Sequence, residues 1–544
     1  MNNRGSKFLK LSQWTFALVL FISLPGRTAQ KANRSSDLSE QFFTNGPVPQ
    51  LKIEIRGTNL TALERNNRLY ARATVREGAT VYNDVGIHLK GAAGSFRELN
   101  DRPALTLNFG RFRSGQRFHG LDKIHLNNSV QDPSYMTELL CGDLFRAAGV
   151  PAARTTHAVV ELNGRGLGLY VLKEGFTKSF LRRYFNNADG NLFDGGFLRE
   201  ITEPLQKMSG NETNGYAALR TLTAAAQEAD PVKRMERLEQ VLDVERFLSF
   251  IAMEVMVWHW DGYAMKKNNY RVYHDPDSDK LVFFAHGMDQ MFWEQEGRIF
   301  PQNPEGLVAR AILDSTAGRR RYRERMASLL TNVFKVEALT NRMNQVQARI
   351  RPVLAAINPE AARNHDGAID NLREAITRRA ASIARQLKVP EPKPLQFDSS
   401  GVAALTLWRQ EDRTGNAALD KLDDPGRSKT LHIRAGADKH CTASWRTRVL
   451  LEAGRYRFEG QARTKGVVPL TDQKGEGAGL RISGSRTARP NKLAGDSAWQ
   501  KLEYDFTVSL EAREVELLCE LRAIEGEAWF DLGSLRVVRK GIGQ

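Results

Sequence analysis

The sequence predicts an α+β domain followed by an all-β sandwich, and three observations lead to this fold class. Short segments that alternate apolar and polar residues fill much of residues 51–173, as half-buried strands do. Long amphipathic runs over residues 212–258 and 305–388 indicate helices. Beyond a proline-rich stretch, residues 396–544 return to short alternating segments that turn residues separate, which is typical of a β-sandwich.

The amino-terminal segment has the pattern of an export signal. Basic residues precede the apolar segment 14–25, which is too short to cross a bilayer comfortably. We expect a signal peptide over residues 1–32, with cleavage near Ala29 or Ala32, and a polar linker over residues 33–50. An uncleaved anchor is the alternative. The protein is therefore expected to be exported to the periplasm, to the cell surface or out of the cell.

Charge and cysteine content restrict the partners. The formal net charge of +16 at pH 7 suits anionic partners such as nucleotide phosphates, acidic proteins or acidic polysaccharides. Nucleic acid is not expected, because the basic residues are dispersed and no nucleic-acid-binding motif occurs. Three cysteines exclude a disulfide framework, although one bridge between Cys441 and Cys519 is compatible with export. No Cys/His cluster has zinc-ligand spacing.

The first strands end at a glycine-containing turn. Segments 51–56, 70–75 and 81–90 alternate as strands do, and then Gly91, Gly94 and Ser95 interrupt the pattern. Such a turn is either an ordinary hairpin or a loop whose backbone N–H groups approach phosphate. Another strand, over residues 103–109, follows Arg102.

A helix and a hairpin come next. Asp132 and Pro133 are favoured residues for starting a helix, Gly149 ends it, and Glu138 lies off its apolar stripe. The Asn163-Gly164 pair between strands 155–162 and 167–173 predicts a hairpin. Glu174 follows directly.

The stretch from 258 to 293 predicts a helix end, a polar loop, a β-hairpin over 270–285 and a second loop. This order places Asp261 and either Asn268 or Asn269 before the hairpin, and Asp289 after it. Because a hairpin brings its ends together, we expect these side chains to converge. An acid beside a hydroxyl, with oxygen ligands for a cation, serves phosphoryl transfer. The alternative is a turn-capping Asp261 and a buried, hydrogen-bonded Asp289.

Residues 305–388 complete the helical part, and residues 389–395 form a stiff proline-rich linker to the sandwich at 396–544. The sandwich loosely resembles jelly-roll carbohydrate-binding modules in its GRYRFEGQART and WFDLGSLRV segments. Trp408, Trp445 and Trp499 are candidates for stacking on sugar rings, and packing within the domain is the alternative for each of them.

The segments WDGYAMKKNNYRVY and HGMDQMF resemble the signature of the CotH kinase family, the spore-coat-type atypical protein kinases. The segments LKGAAGSF, RPALTLNF, HLNNSVQDPSYMTELL and ELNGRGLGLYVLKEGF follow in family order, so the resemblance covers residues 51–387. It implies a kinase-like bilobal domain over residues 51–388, with a β-rich N-lobe and a helical C-lobe. It also implies ATP, a divalent metal (Mg²⁺ or Mn²⁺) and protein phosphorylation.

The resemblance also assigns roles to residues. Asp261 would be the catalytic base, and Asn269 and Asp289 would hold the metal. Nucleotide binding would involve the residues that match the family's loop, cation, helix and hinge positions: Gly91, Gly94, Ser95, Arg102, Glu138 and Glu174. Arg102 stands where the family tends to have lysine, and an arginine is not equivalent at a phosphate. Lys90 and Lys123 are alternative cations.

The sequence thus predicts an exported, ATP- and Mg²⁺-dependent kinase that phosphorylates Ser or Thr of a cell-surface or secreted protein. Its sandwich would serve localisation, with a glycan as a candidate ligand. Two alternatives stay open. One is a binding or structural protein on a degenerate kinase scaffold, and the other is a kinase of a sugar or another small molecule.

Overall fold

A computed structural model describes residues 38–44, 46–211, 216–301, 304–390, 393–426, 429–438, 440–470, 476–484, 491–509 and 512–540. The expected signal peptide, residues 1–32, lies outside these ranges. The helices are α1 (Leu38–Thr44), α2 (Gly57–Arg65), α3 (Thr137–Ala147), α4 (Lys178–Tyr184), α5 (Tyr216–Ala226), α6 (Pro231–Val241), α7 (Val244–Met256), α8 (Tyr263–Lys266), α9 (Leu307–Leu313), α10 (Thr316–Asn332), α11 (Val336–Ile357) and α12 (Pro359–Lys388). No helix within the described ranges is long and apolar enough to span a membrane.

The strands of the amino-terminal part are β1 (Gln50–Glu54), β2 (Ala71–Glu77), β3 (Thr80–Lys90), β4 (Ala104–Asn108), β5 (Lys123–Asn127), β6 (Thr155–Leu162) and β7 (Arg165–Glu174). They close into a barrel of order β1-β2-β3-β4-β5-β7-β6, in which β1 pairs in parallel with β6. The β6–β7 hairpin turns at Asn163 and Gly164, both with positive φ, as the Asn-Gly pair predicts. Apolar side chains fill the barrel, including Leu51, Val75, Leu105 and Leu126.

Two elements of the amino-terminal part differ from expectation. Residues 38–44 of the predicted linker form α1, whose Phe42 and Phe43 are buried against the barrel, with Phe42 edge-on to Phe118. Helix α3 begins at Thr137 rather than at Asp132. Tyr135 has φ of +57°, which an α-helix cannot accommodate, so Asp132 instead accepts hydrogen bonds from the backbone N–H groups of Ser134 and Thr137.

The helical part encloses a small sheet made of β8 (Leu192–Asp194), β9 (Gln206–Ser209), β10 (Tyr270–Asp275) and β11 (Lys280–Ala285), in the order β11-β10-β8-β9. Strands β10 and β11 form the expected hairpin. Helix α7 is buried along nearly its whole length and packs against β11 and α10. One apolar core joins these elements to α3 and α12.

The carboxy-terminal strands are β12 (Val402–Ala404), β13 (Arg409–Thr414), β14 (Ala418–Leu422), β15 (Thr430–Arg434), β16 (Cys441–Leu451), β17 (Gly454–Pro469), β18 (Gly477–Ile482), β19 (Lys492–Leu493), β20 (Gly495–Val508), β21 (Arg513–Asp531) and β22 (Arg536–Lys540). The long strands β17 and β21 pair with most of the others around one apolar core, which gives a β-sandwich-like arrangement. The chain thus combines a mixed α/β part with an all-β part, as predicted.

Two of the three candidate sugar-stacking tryptophans belong to the sandwich core. Trp408 donates to the Leu405 carbonyl at 3.1 Å and Trp445 donates to the His432 carbonyl at 3.0 Å, and both side chains are buried. Their ring faces are therefore covered by protein. Trp499 is half-buried beside Arg463. Cys441 and Cys519 are buried free thiols, so the two do not form a bridge here.

Candidate functional site

The loop before β10 joins Asp261 to Asn269, and the β10–β11 hairpin brings Asn269 next to the segment that leads to Asp289. The Asn269 amide donates to Asp261 Oδ2 at 2.7 Å, and the N–H of His286 donates to the Asn269 carbonyl at 2.9 Å. Asn268, the other candidate, instead accepts a hydrogen bond from the Leu198 N–H and is buried. Asn269 is therefore the amide beside Asp261, and the segment leading to Asp289 begins next to it.

A buried histidine joins the two loops that carry the aspartates. His259 Nδ1 lies 3.1 Å from Asp261 Oδ1, and its Nε2 lies 3.0 Å from the His286 carbonyl oxygen. Burial opposes the charged imidazolium, but Asp261 and Glu254 outweigh it and raise the pKa of His259. This fully buried ring, with Nε2 at the His286 carbonyl and Nδ1 within ion-pair distance of Asp261, links Asp261 to the 286–289 segment.

The end of α7 is held from inside the core. Glu254 is fully buried and accepts hydrogen bonds from the N–H groups of Tyr263 and Ala264 at 2.8 and 2.9 Å. Burial raises the pKa of Glu254 to about 7, against the opposing effect of His259. Arg379 of α12 donates to the carbonyls of Val255 and Met256, the last residues of α7. The loop that carries Asp261 therefore leaves a rigid helix end.

Asp289 lines a cavity, and its surroundings disfavour the ionised form of its carboxyl group. Burial raises its pKa to about 6, and the nearby Glu138 raises it further, while Lys90 acts in the opposite direction. Within the described ranges Asp289 forms no ion pair. A carboxylate whose ionised form is disfavoured in this way is a natural ligand for an added cation.

A buried ion pair lies beside Asp289. Lys173 Nζ lies 2.7 Å from Glu138 Oε1, and both side chains are only 2% exposed. Burial favours protonation of Glu138, but Lys173 outweighs that effect, so the pKa of Glu138 is lowered. Lys173 also contacts His286 Nδ1 at 3.1 Å. The partner of Glu138 is therefore Lys173 of β7.

Lys90, at the end of β3, is the second cation of this group. Its ammonium donates to the Asn127 side chain, whose amide lies 3.4 Å from Glu138 Oε2. Burial lowers the pKa of Lys90 to about 8, and the neighbouring Lys173 lowers it further. Lys90 was one of the alternatives to Arg102, whereas Lys173 was not identified from the sequence.

Arg102 lies apart from this group. Its guanidinium donates to the Leu169 carbonyl at 2.6 Å and to the Tyr135 hydroxyl at 3.2 Å, and it stacks on Tyr170. Both hydrogen bonds come from one guanidinium nitrogen, Nη2, which is therefore directed at groups of the barrel. Lys90 is the cation that acts on Asp289, and Lys173 lies beside Lys90 and Glu138.

The glycine-containing turn has the conformation expected for a turn of this kind. Gly91 and Gly94 have φ of +97° and +82°, and the Ser95 hydroxyl accepts from the N–H of Ala92 at 3.2 Å. A side chain on Gly94 would collide with Gln131, a residue that lines the same cavity as Asp289. The turn therefore borders the wall of that cavity without lining it.

Glu174 is committed to structural contacts. Its carboxylate accepts the N–H of Arg154 at 2.7 Å and the guanidinium of Arg154 at 3.0 Å, and it also pairs with Arg183. The side chain is fully buried in this cluster. The role in nucleotide binding that the resemblance implied would have to use the backbone here, because both carboxylate oxygens are engaged.

The cavity beside Asp289 has a volume of about 960 Å³, within the usual range for small-ligand sites. One wall comes from the segment before α3, with Gln131, Asp132, Ser134 and Thr137. The 289–293 segment and Trp260 form a second wall, and α12 forms the third. Trp260 and Trp293 remain 37% and 57% exposed at this cavity.

The residues present suit a magnesium ion shared with phosphate. Within the described ranges no group of three or more His, Cys, Asp or Glu side chains is arranged to hold a metal. Mg²⁺ does not require such a group, because one or two carboxylates, water and substrate phosphates commonly hold it. Asp289, with its raised pKa, and Asn269, whose side chain lies against Gly287, fit that mode.

A barrel with a buried lysine–glutamate pair, beside loops that present two aspartates and an asparagine, is the kind of arrangement that phosphoryl transfer uses. The chain belongs to the CotH kinase family. The family model described as "CotH kinase protein" matches residues 87–383, which include every residue of this site.

Named relatives support the same assignment. Over 49% of its length the chain is 27% identical to Invasin CotH2 of Rhizopus delemar, and it covers 50% of that protein. Over 44% of its length it is 24% identical to the Inner spore coat protein H of Bacillus subtilis, covering 71% of it. The chain thus spans about half the length of the invasin. These names are consistent with an exported or surface protein.

Among solved structures, the CBM22-1 xylan-binding domain from Paenibacillus barcinonensis Xyn10C is 12% identical. The match covers 27% of this chain and 92% of that domain, with a TM-score of 0.16. A structure described as CBM4 matches with a TM-score of 0.19 and 15% identity, over 27% of this chain and 95% of that one.

Proposed function

We propose that the protein is an exported, ATP- and Mg²⁺-dependent kinase of CotH type that phosphorylates Ser or Thr of a surface or secreted protein. In this proposal the barrel acts as the N-lobe and the helical part as the C-lobe of a kinase-like domain. The observation that carries the proposal is the convergence of Asp261 and Asn269 with the segment leading to Asp289, beside the Lys173–Glu138 pair.

Each group has a defined task in the transfer. The acceptor hydroxyl oxygen forms a bond to the γ-phosphorus while the bond from that phosphorus to the β-phosphate oxygen breaks, and ADP leaves. Asp261 orients the hydroxyl and accepts its proton. Lys90 and Lys173 neutralise phosphate charge in a site of low dielectric, where such contacts are strong. His259 and Asn269 hold the Asp261 carboxylate in place.

Asp289 and Asn269 would hold the metal. When bound, Mg²⁺ neutralises and orients the nucleotide phosphates. Its charge would also favour the ionised form of Asp289, whose pKa is raised in its absence.

Phosphate transfer from γ-labelled ATP tests the proposal. The assay uses dephosphorylated casein as acceptor and compares wild type with Asp261→Asn. The matched control is Asp277→Asn, since Asp277 lies exposed in the turn of the same hairpin. We expect Asp261→Asn to lower kcat by about 10²–10⁴-fold and the control to retain activity. Equal activity of Asp261→Asn and wild type would contradict the assignment.

Location is the second part of the proposal. The export signal expected at residues 1–32 and the surface names of two relatives support export. The sandwich would localise the kinase, with a glycan as candidate ligand. Trp499 is the remaining candidate for sugar stacking, because Trp408 and Trp445 are in the core.

A second candidate function is a binding or structural protein on a degenerate kinase scaffold. The observation that favours it is the use of Arg102 for internal contacts at the position where the family tends to have lysine. Absence of nucleotide binding would support this alternative. A kinase of a sugar or other small molecule would bind ATP and differ from the main proposal only in its acceptor.

A further inference from the structure

The 960 Å³ cavity beside Asp289 has a different charge from the site next to it. Four cations lie near the half-buried His125 of the barrel: Lys90, Lys123, Lys173 and Arg271. Desolvation is the largest cause that lowers the pKa of His125, and these four charges lower it further. The cavity instead contains the carboxylates of Asp132 and Asp289, and Arg363 is the basic residue of its lining. A triphosphate therefore has its complementary charge on the barrel side, and the cavity is left for an uncharged ligand.

The position of the cavity connects it to the transfer reaction. Trp260, which lines it, directly precedes Asp261, and Asp289 lines it from the same side. Asp261 in turn is joined to the 286–289 segment through His259 and Asn269. A ligand in the cavity therefore lies next to the two aspartates that would handle the acceptor hydroxyl and the phosphates.

The lining matches a polypeptide. Gln131, Gln290, Asn364 and Asn371 line the cavity, and in the part of the chain that the structure describes none of their side-chain amides has a hydrogen-bond partner. Each amide has donors and an acceptor, as a peptide unit does, so the two pair directly. Trp260, Met291 and Trp293 add apolar surface, and both indoles are partly exposed.

We infer that this cavity binds the phosphate acceptor as an extended polypeptide segment, whose apolar or aromatic side chain beside the acceptor Ser or Thr packs between Trp260 and Trp293. The inference rests on the proposed kinase function and adds the acceptor's site and chemistry to it. The amides of α12 and of the 289–293 segment contact the peptide backbone, and the tryptophans select the neighbouring side chain.

Gly367 allows the cavity to be filled without altering the reacting groups. It lies on α12 in the cavity wall, and a Cβ at this position would meet nothing within 4 Å. Gly367→Leu therefore projects a side chain into the cavity, and Gly367→Ala is the matched control because it makes the same backbone change with little volume. Both substitutions favour the helix, so the variants should fold, and their melting curves check this.

The experiment uses the full chain, ATP, and two mixtures of peptides with one central Ser. One mixture has Phe, Leu or Trp beside the Ser, and the other has Gly or Asn there. We expect wild type to prefer the apolar mixture by about tenfold in kcat/KM. Gly367→Leu should lose about tenfold on that mixture, chiefly through KM, while its ATP affinity and that of Gly367→Ala stay at the wild-type value.

Three results would overturn the inference while leaving ATP-dependent phosphotransfer intact. Weakened ATP binding by Gly367→Leu would place the nucleoside in the cavity. Unchanged peptide phosphorylation by Gly367→Leu would show that the cavity is not used. Phosphorylation of free sugars but not of peptides, blocked by Gly367→Leu, would assign the cavity to a sugar. Failure of wild type to bind ATP would instead refute the kinase proposal itself.

Discussion

Replacing Lys173 with Met removes one partner of a fully buried ion pair. The substitution keeps most of the side-chain volume, so the main loss is the ammonium that lies 2.7 Å from Glu138 Oε1. A buried carboxylate left without its partner typically costs about 3–5 kcal/mol of folding free energy. Lys90 also faces Glu138 and offsets part of that cost, so we expect the lower end, about 3 kcal/mol.

A double variant separates stability from function. Lys173→Met with Glu138→Leu removes both charges and should recover most of the lost stability, because well-packed apolar groups replace a buried pair at little cost. Urea denaturation of wild type, both single variants and the double variant gives the coupling energy, and ATP binding is measured on the same samples. We expect restored stability without restored ATP affinity. A coupling energy near zero would refute the buried-pair reasoning.

Three further predictions follow from the site and the sandwich. Asp289→Asn should raise the melting temperature at pH 7.5: the folded pKa of about 6 exceeds the unfolded 3.8, so ionisation costs stability above pH 6, and a calorimetric scan that shows no rise would contradict this. ATP affinity should fall as pH rises through about 8, where Lys90 loses its proton, and Lys90→Arg should flatten that titration profile. Trp445→Ala should destabilise the sandwich by about 3–5 kcal/mol, measured by denaturation, because it empties a core position.

Local patterns predicted the framework of the site. The Asn163-Gly164 turn and the 270–285 hairpin follow from turn chemistry and alternation, and both occur as expected. The meeting of Asn269 with the segment that leads to Asp289 follows from the hairpin, because pairing of its two strands brings its ends together. These features depend on residues that are close in sequence.

Features that depend on tertiary contacts were not predictable in the same way. Lys173 pairs with Glu138, which lies 35 positions earlier in the sequence. The one sequence feature that could have pointed to this pair is the presence of a lysine in a strand whose other central residues are buried. Glu174 was assigned beside the nucleotide, but Arg154 and Arg183 arrive from distant segments to occupy it. Arg102 likewise donates to a distant group, the Leu169 carbonyl of β7. The periodicity of apolar residues in a sequence indicates which side chains are buried, but it does not identify the residues with which buried charged groups pair.

Mg²⁺-dependent ATP binding, measured by titration calorimetry on the chain from about residue 33, tests the central claim most directly. Wild type is compared with Asp289→Asn, and Asp277→Asn from the exposed hairpin turn is the control. The kinase account predicts binding that requires Mg²⁺, is lost in Asp289→Asn and persists in the control. Absence of binding by wild type with and without Mg²⁺ would contradict the account and favour a binding protein on a degenerate scaffold.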